Sequence, residues 1–245
     1  MDALLAVEPG TRPGDVAAPI EVEWLGRVPY REAWALQHEL VALRAADRIP
    51  DRLLIVEHPP VITLGRQADE SHVRATPDEL ADRGIEVIRV ERGGEVTYHG
   101  PGQLVAYPIL ALSRRGLLLR PLVRALEATM IDTCASFGVA AGRLEGSPGC
   151  WVDATAAEPR KIGALGIRVE RGVTYHGIAL NVAPSLADFE LIDACGMPGV
   201  VSTSIAREAG WPERDPSSPE SAAAVAAAGS AFAIAFGRRL TGSPA

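Results

Sequence analysis

The segment RVERGVTYHG, Arg168 to Gly177, has the pattern of a strand, a tight glycine turn and a second strand. Upstream, RVERGGEVTYHG, Arg89 to Gly100, has the same letters with two extra residues. A duplication would extend further along the chain, but the similarity stops at the ends of these two segments. We therefore expect two β-hairpins of similar build rather than an internal repeat.

Outward from these segments, helical and strand patterns alternate. Apolar residues at helical spacing predict helices over residues 30–46 and 119–137, and place Cys134 in the core. RLLIVEH and VITLGR predict strands on either side of two prolines, and IEVIRV predicts another. In TPDELADRG, Thr76 and Glu79 form a capping box at the start of a short helix. The pattern is that of an α/β fold.

Composition sets the domain boundaries. Residues 1–19 are rich in Pro, Gly and Ala, which predicts a flexible lead-in, and residues 241–245 are expected to be a flexible tail. An Ala-rich helix is expected near the C-terminal end, after a Pro- and Ser-rich loop over residues 210–221. Residues 20 to 205 contain no linker-like stretch. We expect one catalytic domain over residues 20–240.

The overall composition excludes several classes of protein. A net charge of −7 and a pI near 5.3 argue against a nucleic-acid binder. Three cysteines are too few for a disulfide framework and favour a reducing compartment, so we expect a cytoplasmic protein. The acidic N-terminus does not have the form of a signal peptide, and no long unbroken apolar run predicts a membrane span.

Lys161 is the only lysine among the 24 lysines and arginines of the chain. Arginine stays charged at accessible pH, whereas a desolvated lysine amine can release and accept a proton. Cys195, in LIDACGMPGV, lies among small and turn-forming residues that leave its sulfur reachable. A catalytic thiol needs a base or cation beside it, which Lys161 could supply. An inert thiol and a lysine retained by chance are the alternatives.

The glycine-rich segment RGGEVTYHGPGQLVAYP begins at Arg92 and includes His99. Its glycines either let the backbone approach a ligand or simply form hairpin turns, with His99 as a structural histidine. The segment does not match the P-loop or dinucleotide-binding spacing. The histidines and cysteines lack metal-ligand spacing, so no metal is expected, and the serine-hydrolase elbow is absent. Cys150, in GCWVD, is predicted to lie in a buried strand.

The motifs RGGEVTYHGPGQLVAYPIL, RKIGALGIR, HGIALNV and ACGMPG together resemble the octanoyltransferase family of lipoate biosynthesis. The resemblance implies a single α/β domain on a mixed β-sheet flanked by helices, like the catalytic domain of biotin and lipoate protein ligases. It implies transfer of an octanoyl or lipoyl group, without a cofactor, from octanoyl-acyl carrier protein to a lysine of lipoyl domains. The acceptors would be the E2 subunits of 2-oxoacid dehydrogenases and the glycine cleavage H protein.

The same resemblance assigns roles to individual residues. Cys195 matches the cysteine that carries the acyl thioester, and Lys161 matches its partner. His99 and His176 are expected to hold polar atoms near the acyl carbonyl. The residues that match the family's acyl-binding segments are Arg92, Gly93, Gly94, Glu95, Val96, Thr97, Tyr98, His99, Ala164, Leu165, Gly166, Gly177, Ile178 and Ala179.

Two alternatives remain open at this point. An ATP-dependent lipoate or biotin ligase shares the implied fold, activates a free acid as an adenylate and needs no nucleophilic cysteine. A non-catalytic module that binds an acidic carrier protein is the other alternative. It would use arginines 114, 115, 120 and 124 and leave the thiol idle.

Overall fold

The computed structural model describes residues 19–193 and 199–241, which form eleven strands and five helices within those ranges. The strands are β1 (Glu21–Arg27), β2 (Arg52–Glu57), β3 (Val61–Leu64), β4 (Glu86–Arg89), β5 (Val96–His99), β6 (Gln103–Ile109), β7 (Gly142–Leu144), β8 (Ser147–Val152), β9 (Arg160–Glu170), β10 (Val173–Asn181) and β11 (Val201–Ser202). The helices are α1 (Tyr30–Ala45), α2 (Pro77–Asp82), α3 (Leu119–Ser136), α4 (Ile205–Glu208) and α5 (Pro219–Thr241). The helices predicted over residues 30–46 and 119–137 are therefore confirmed to within one residue at their ends.

The larger sheet is mixed. Its order is β1-β2-β6-β10-β9-β8-β7, with β11 paired to β9. β1 runs parallel to β2 and β11 runs parallel to β9, while the other pairs in this sheet are antiparallel. The α/β fold on a mixed sheet is confirmed. β9 and β10 lie at its centre, so they have neighbouring strands on both sides.

The hairpin predicted over Arg168 to Gly177 is confirmed. Glu170 pairs with Val173, which leaves Arg171 and Gly172 as a two-residue turn. Both turn residues have positive φ, 50° and 78°. This is the conformation that suits the right-handed twist of the flanking strands, and glycine adopts it at no steric cost.

The prediction of a second hairpin, over Arg89 to Gly100, is wrong. β4 and β5 do not pair with each other but lie on either side of β3, in a three-stranded sheet of order β4-β3-β5. The extra residues Gly94 and Glu95 lengthen the connection, so the chain crosses the end of β3 instead of turning back on β4. The Arg92 guanidinium holds this crossing in place, because its Nη2 donates to the Thr63 carbonyl oxygen at 2.6 Å.

Helices cover both faces of the larger sheet. α1 packs on one face, where Ala33, Leu40 and Val41 join a buried cluster with residues of β2, β6 and β10. α3 and α5 pack on the other face in the largest apolar cluster. The capping box at the start of α2 is confirmed, since Thr76 and Glu79 bond each other's backbone N–H groups.

The two cysteines assigned to the interior are buried. Cys134 on α3 and Cys150 on β8 have no exposed surface, as the sequence predicts. A contact with the Cys134 thiol, together with burial, raises the pKa of Cys150 far above its ordinary value. Cys150 therefore stays a protonated thiol and is not a nucleophile at neutral pH.

Within the described residues, α5 is long and apolar enough to cross a membrane by length and composition alone. One face of it is occupied by the protein interior, because Val225, Phe232 and Phe236 are fully buried in the largest cluster. The sequence expectation that the chain has no membrane span remains a prediction.

Asp51, at the start of β2, ties together three parts of the fold. Its carboxylate accepts bonds from Arg44 Nε on α1 at 2.6 Å, from Ala111 N at 2.9 Å and from Arg115 Nε. The side chains of Arg115 and Asp51 are each 5% exposed. The carrier-protein module that would use Arg115 as a surface cation is wrong on this point, since that guanidinium is inside the protein.

Replacing Asp51 with Asn is expected to lower the free energy of unfolding by about 3 kcal/mol, because it removes the negative charge that faces the buried Arg115 guanidinium and one of the two that face Arg44. Urea unfolding followed by circular dichroism measures the change. Asp47→Asn is the matched control, because Asp47 also pairs with Arg44 but lies at the surface and should change little. Equal effects of the two substitutions would contradict the role given to Asp51.

Candidate active site

The floor of the site is a strip of small residues on the face of the sheet that carries α1. In the β9–β10 ladder, Ala164 pairs with Ala179 and Gly166 pairs with Gly177. These four residues line a groove together with side chains from β5 and β6. Because they add almost nothing above the backbone, an extended apolar chain can lie directly on the strands.

The connection from β4 to β5 forms one wall of this groove. We call residues Arg92, Gly93 and Gly94 the RGG loop. Arg92 is buried and uses its guanidinium on β3, where it meets both the Thr63 hydroxyl and carbonyl oxygens. Its Nη1 also donates to the Gly93 carbonyl oxygen at 3.1 Å. Arg92 therefore shapes the wall.

Backbone packs directly on backbone where this wall meets the sheet. Gly93 N donates to the Ile167 carbonyl oxygen on β9 at 3.3 Å. A Cβ placed on Gly166 would lie 2.5 Å from the Gly93 oxygen, and one placed on Gly65 would lie 2.2 Å from the Gly94 oxygen. Any side chain at these positions would push the loop off the sheet, because both distances are far inside van der Waals contact.

The inner end of the groove is polar and buried. His58 Nδ1 lies 2.7 Å from the Val28 carbonyl oxygen, which can only accept, so this nitrogen carries the proton. Its Nε2 therefore accepts from the Tyr107 hydroxyl at 2.7 Å. Burial lowers the pKa of His58 to about 4. The Tyr30 ring covers this group and also stacks on His99, with ring centroids 5.8 Å apart.

His176 is built into this end by an interruption of the sheet. Continuing the register in which Ile178 pairs with Ala106 puts His176 opposite Pro108, which has no N–H to donate. The His176 backbone N–H instead donates to Gln37 Oε1 on α1 at 2.7 Å, and its φ is +53°. This left-handed conformation costs free energy in any residue other than glycine.

The Glu91 carboxylate lies behind His176, where it contacts two side chains of α1. Its Oε1 accepts from Trp34 Nε1 at 3.0 Å and lies 2.9 Å from His38 Nε2. His176 Nε2 is 3.7 Å away, beyond hydrogen-bond distance, and has no hydrogen-bond partner among the described residues. Burial acts to raise the pKa of Glu91, but His176 and Trp34 outweigh it and hold that pKa well below the ordinary value. Burial lowers the pKa of His176, which keeps this imidazole neutral.

Lys161 lies at the other end of the groove. The residue is 6% exposed, and its Nζ lies 4.8 Å from the centre of the Trp151 ring. It lines a cavity with Gln103 and Asn181, and this cavity shares Thr97, Ala164 and Ala179 with the groove. A chain lying on the small residues can therefore reach the Lys161 amine.

Buried hydrogen bonds connect the Lys161 end to His99. His99 Nδ1 lies 2.7 Å from Gln103 Oε1, and Gln103 Nε2 donates to Asn181 Oδ1 at 2.9 Å. Asn181 Nδ2 then donates to the Thr203 carbonyl oxygen. The Thr203 backbone N–H donates in turn to the Lys161 carbonyl oxygen. Burial lowers the pKa of His99 to about 3, so it is neutral and presents the lone pair of Nε2.

Cys195 lies outside the described residues, but the chain that leads to it is held firmly. Arg74 N and Ala75 N both donate to the Leu191 carbonyl oxygen, and Asp193 N donates to the His72 carbonyl oxygen at 2.8 Å. His72 in turn lies 3.2 Å from Glu95 of the groove wall. Residues 72–75 therefore fix the segment that precedes Cys195 in the chain.

The structure places most of the residues chosen from the sequence along one groove. The groove lining includes Arg92, Gly94, Glu95, Val96, Thr97, His99, Ala164, Leu165, Gly166, Gly177, Ile178 and Ala179. Gly93 contributes its backbone contact with β9. Tyr98 does not line the groove: its hydroxyl donates to Asp188 at 2.9 Å, and its ring packs on Phe189. Its orientation secures residues 186–191 instead.

His176 also differs from the expectation. It pairs with Ile167, six residues along β9 from Lys161, or about 20 Å at the rise of a strand. The structure therefore does not bring His176 to the Lys161 end. Sequence reasoning missed Tyr30, Glu91 and Tyr107, which meet only through tertiary packing. Pro108 inside a strand was the one signal in the sequence that marked the interruption.

Among the described residues, there is no cluster of three His, Cys, Asp or Glu side chains able to hold a metal ion. The expectation that the protein uses no metal stays a prediction.

Comparison with known proteins identifies the family. Residues 29–228 match the model of the lipoyl protein ligase A/B catalytic domain. An octanoyltransferase of Chloroflexus aurantiacus is 48% identical over 192 residues, which are 78% of this chain and 85% of that protein. An octanoyltransferase of Corynebacterium efficiens is 46% identical over 194 residues, which are 78% and 74% of the two chains.

Solved structures share the fold at low identity. The bipartite lipoate protein ligase of Thermoplasma acidophilum aligns with a TM-score of 0.61 and 13% identity, over 91% of this chain and 84% of that chain. A lipoate-protein ligase A bound with ATP aligns with a TM-score of 0.60 and 14% identity, over 91% and 86%. These likenesses support the fold alone, so the ligase alternative gains only a shared architecture.

The groove of small residues, the buried lysine at one end of it and the sequence relatives agree. The chain belongs to the lipoyl protein ligase A/B catalytic-domain family and, within it, to the octanoyltransferases of protein lipoylation.

Proposed function

We propose that this octanoyltransferase works through a thioester on Cys195, with Lys161 moving the protons. The octanoyl group comes from acyl carrier protein and is passed to a lysine of a lipoyl domain. The observation that carries this proposal is the position of Lys161, the one lysine of the chain, buried at the end of a groove made for an apolar chain.

The first half-reaction forms the acyl-enzyme. Lys161 accepts the proton of the Cys195 thiol, and the thiolate attacks the carbonyl carbon of octanoyl-acyl carrier protein. The C–S bond to the phosphopantetheine then breaks, and the leaving sulfur takes the proton back from Lys161. Octanoyl-Cys195 remains, and the proton that Lys161 took up has left on the phosphopantetheine thiol.

The second half-reaction passes the acyl group to the acceptor. The amine of a lipoyl-domain lysine attacks the octanoyl-Cys195 carbonyl carbon and gives a proton to Lys161. The C–S bond breaks, an amide forms and the Cys195 thiolate recovers the proton. An arginine at position 161 would keep a positive charge, but its guanidinium does not give up a proton in proteins.

The groove keeps the acyl chain out of water between the two steps. Burial of a methylene contributes about 0.8 kcal/mol, so the chain offers roughly 5 kcal/mol of binding before costs. This binding holds the thioester carbonyl at the Lys161 end. The reaction needs no cofactor beyond the phosphopantetheine that carries the donor.

The reaction has two kinds of protein partner, an acyl donor and an acyl acceptor. The donor is octanoyl-acyl carrier protein, and the acceptors are the lipoyl domains of 2-oxoacid dehydrogenase E2 subunits and the glycine cleavage H protein. The related Thermoplasma acidophilum ligase was solved in a study that included its E2 lipoyl domain, which supports an acceptor of this kind. The reaction belongs in the cytoplasm, and it requires neither nucleic acid nor membrane.

Mixing the protein with octanoyl-acyl carrier protein, without ATP, should add one octanoyl group to its intact mass. The adduct should be labile to hydroxylamine, because it is a thioester, and Cys195→Ser should not form it. Cys134→Ser is the matched control, since that thiol is buried in the core, and it should retain the adduct. Acylation of a lipoyl domain only when free octanoic acid and ATP are supplied would instead make the protein a ligase.

Lys161→Arg should lower kcat by roughly 100-fold or more, the usual contribution of a general acid–base group. KM for the acyl donor should change little, because the groove residues are untouched. Steady-state transfer to a purified lipoyl domain measures both constants. Arg160→Lys is a neighbouring control, since Arg160 pairs with Glu208 and Asp153 away from the groove. Near-normal kcat in Lys161→Arg would rule out proton transfer by this residue.

A further inference from the structure

The groove has a fixed length, set by the ladder between β9 and β10. Gly163 at the Lys161 end pairs with Leu180, and Gly166 at the inner end pairs with Gly177. These rungs are three residues apart, which is about 10 Å along a strand. An extended chain advances by less than the ~1.5 Å of a C–C bond per carbon, so eight carbons span about 9 Å. The distance from the Lys161 cavity, which Gly163 lines, to the Gly166–Gly177 rung therefore matches an eight-carbon chain.

His176 lies one residue beyond the inner rung. Its side chain is 1% exposed, its Nδ1 is 3.5 Å from the Tyr30 hydroxyl and its Nε2 is 3.7 Å from Glu91 Oε1. A ninth or tenth methylene would have to enter this space. It would displace polar groups that are already buried and would leave them facing a hydrocarbon, which is unfavourable.

The backbone at His176 indicates that the side chain is there for a purpose other than stability. Glycine would adopt the observed φ of +53° without strain, and the missing Pro108 N–H already interrupts the β10–β6 ladder at this point. Histidine is nevertheless present, with a buried nitrogen that lacks a hydrogen bond among the described residues. Strain of this kind persists where a site needs the side chain.

We propose that His176, backed by Tyr30 and Glu91, is the end wall of the acyl groove and sets its limit at eight carbons. This inference rests on the proposed function, because it assumes that the acyl carbonyl lies at the Lys161 end. His176 contacts the terminal methyl group and takes no part in proton transfer. It is thus a specificity-determining residue.

The test compares acyl chain lengths. Hexanoyl, octanoyl, decanoyl and dodecanoyl thioesters of acyl carrier protein are supplied to the wild type, His176→Asn and His176→Gly, and the rate constant of acyl-enzyme formation is measured by intact mass. Both replacements tolerate positive φ. His176→Gly should raise the decanoyl-to-octanoyl rate ratio by about tenfold, the discrimination typical of added methylenes in a pocket, and His176→Asn should raise it less.

His38→Ala is the matched control. His38 meets the same Glu91 oxygen, but its side chain is 44% exposed and does not line the groove, so the rate ratio should stay at the wild-type value. A loss of rate without a change in ratio in both His176 variants would make the residue merely structural and overturn the proposal. A wild type that accepts decanoyl as fast as octanoyl would do the same.

The outcomes also separate this inference from the proposed function. If the wild type forms no adduct from octanoyl-acyl carrier protein, the acyl-enzyme mechanism fails. If the octanoyl adduct forms and the chain-length profile is unmoved in the variants, only the end wall fails. Circular dichroism identifies a variant that does not fold, and His176→Asn decides the question if His176→Gly is lost.

Discussion

The site depends on a place where two segments of backbone touch without side chains between them. The RGG loop rests on β9 at Gly166, and on the end of β3 at Gly65, closer than any Cβ would permit. This contact brings the three-stranded sheet against the larger one and leaves the groove beside it. The RGG loop, which forms one wall of the groove, takes its position from that approach together with the crossing of β3 that Arg92 holds.

The groove is closed at its inner end, and this closure has some cost in stability. Pro108 removes a hydrogen bond from a central strand, and His176 takes a left-handed conformation opposite it. Gln37 on α1 accepts a hydrogen bond from the His176 backbone N–H, so the interruption is supported from the neighbouring layer. The result is a neutral imidazole among Tyr30 and Glu91, where a regular strand would have continued.

Two adjacent basic residues of β9, Arg160 and Lys161, have different surroundings. Arg160 faces Glu208 and Asp153 and ties the strand to α4 and to the β8–β9 connection. Lys161, the next residue, faces the groove and lies over Trp151. The guanidinium suits the first position because it binds carboxylates through two nitrogens. The amine suits the second because it can exchange a proton in a desolvated site.

The sequence by itself determined the local elements, the central hairpin and the family to which the chain belongs. The β9–β10 turn could be predicted because Arg-Gly supplies two positive φ values between strands of alternating pattern. The long motifs indicated the family because their residues are close in the chain. Lys161 stood out because every other member of the 24 lysines and arginines in the chain is an arginine.

Only the tertiary structure decided where those elements meet. It separated β4 from β5, turned Tyr98 away from the groove and buried Arg115 beside Asp51. It also carried His176 about 20 Å along the sheet from Lys161. The physical reason is that burial, strand pairing and register are set by contacts between segments far apart in the chain, and local propensity cannot specify them.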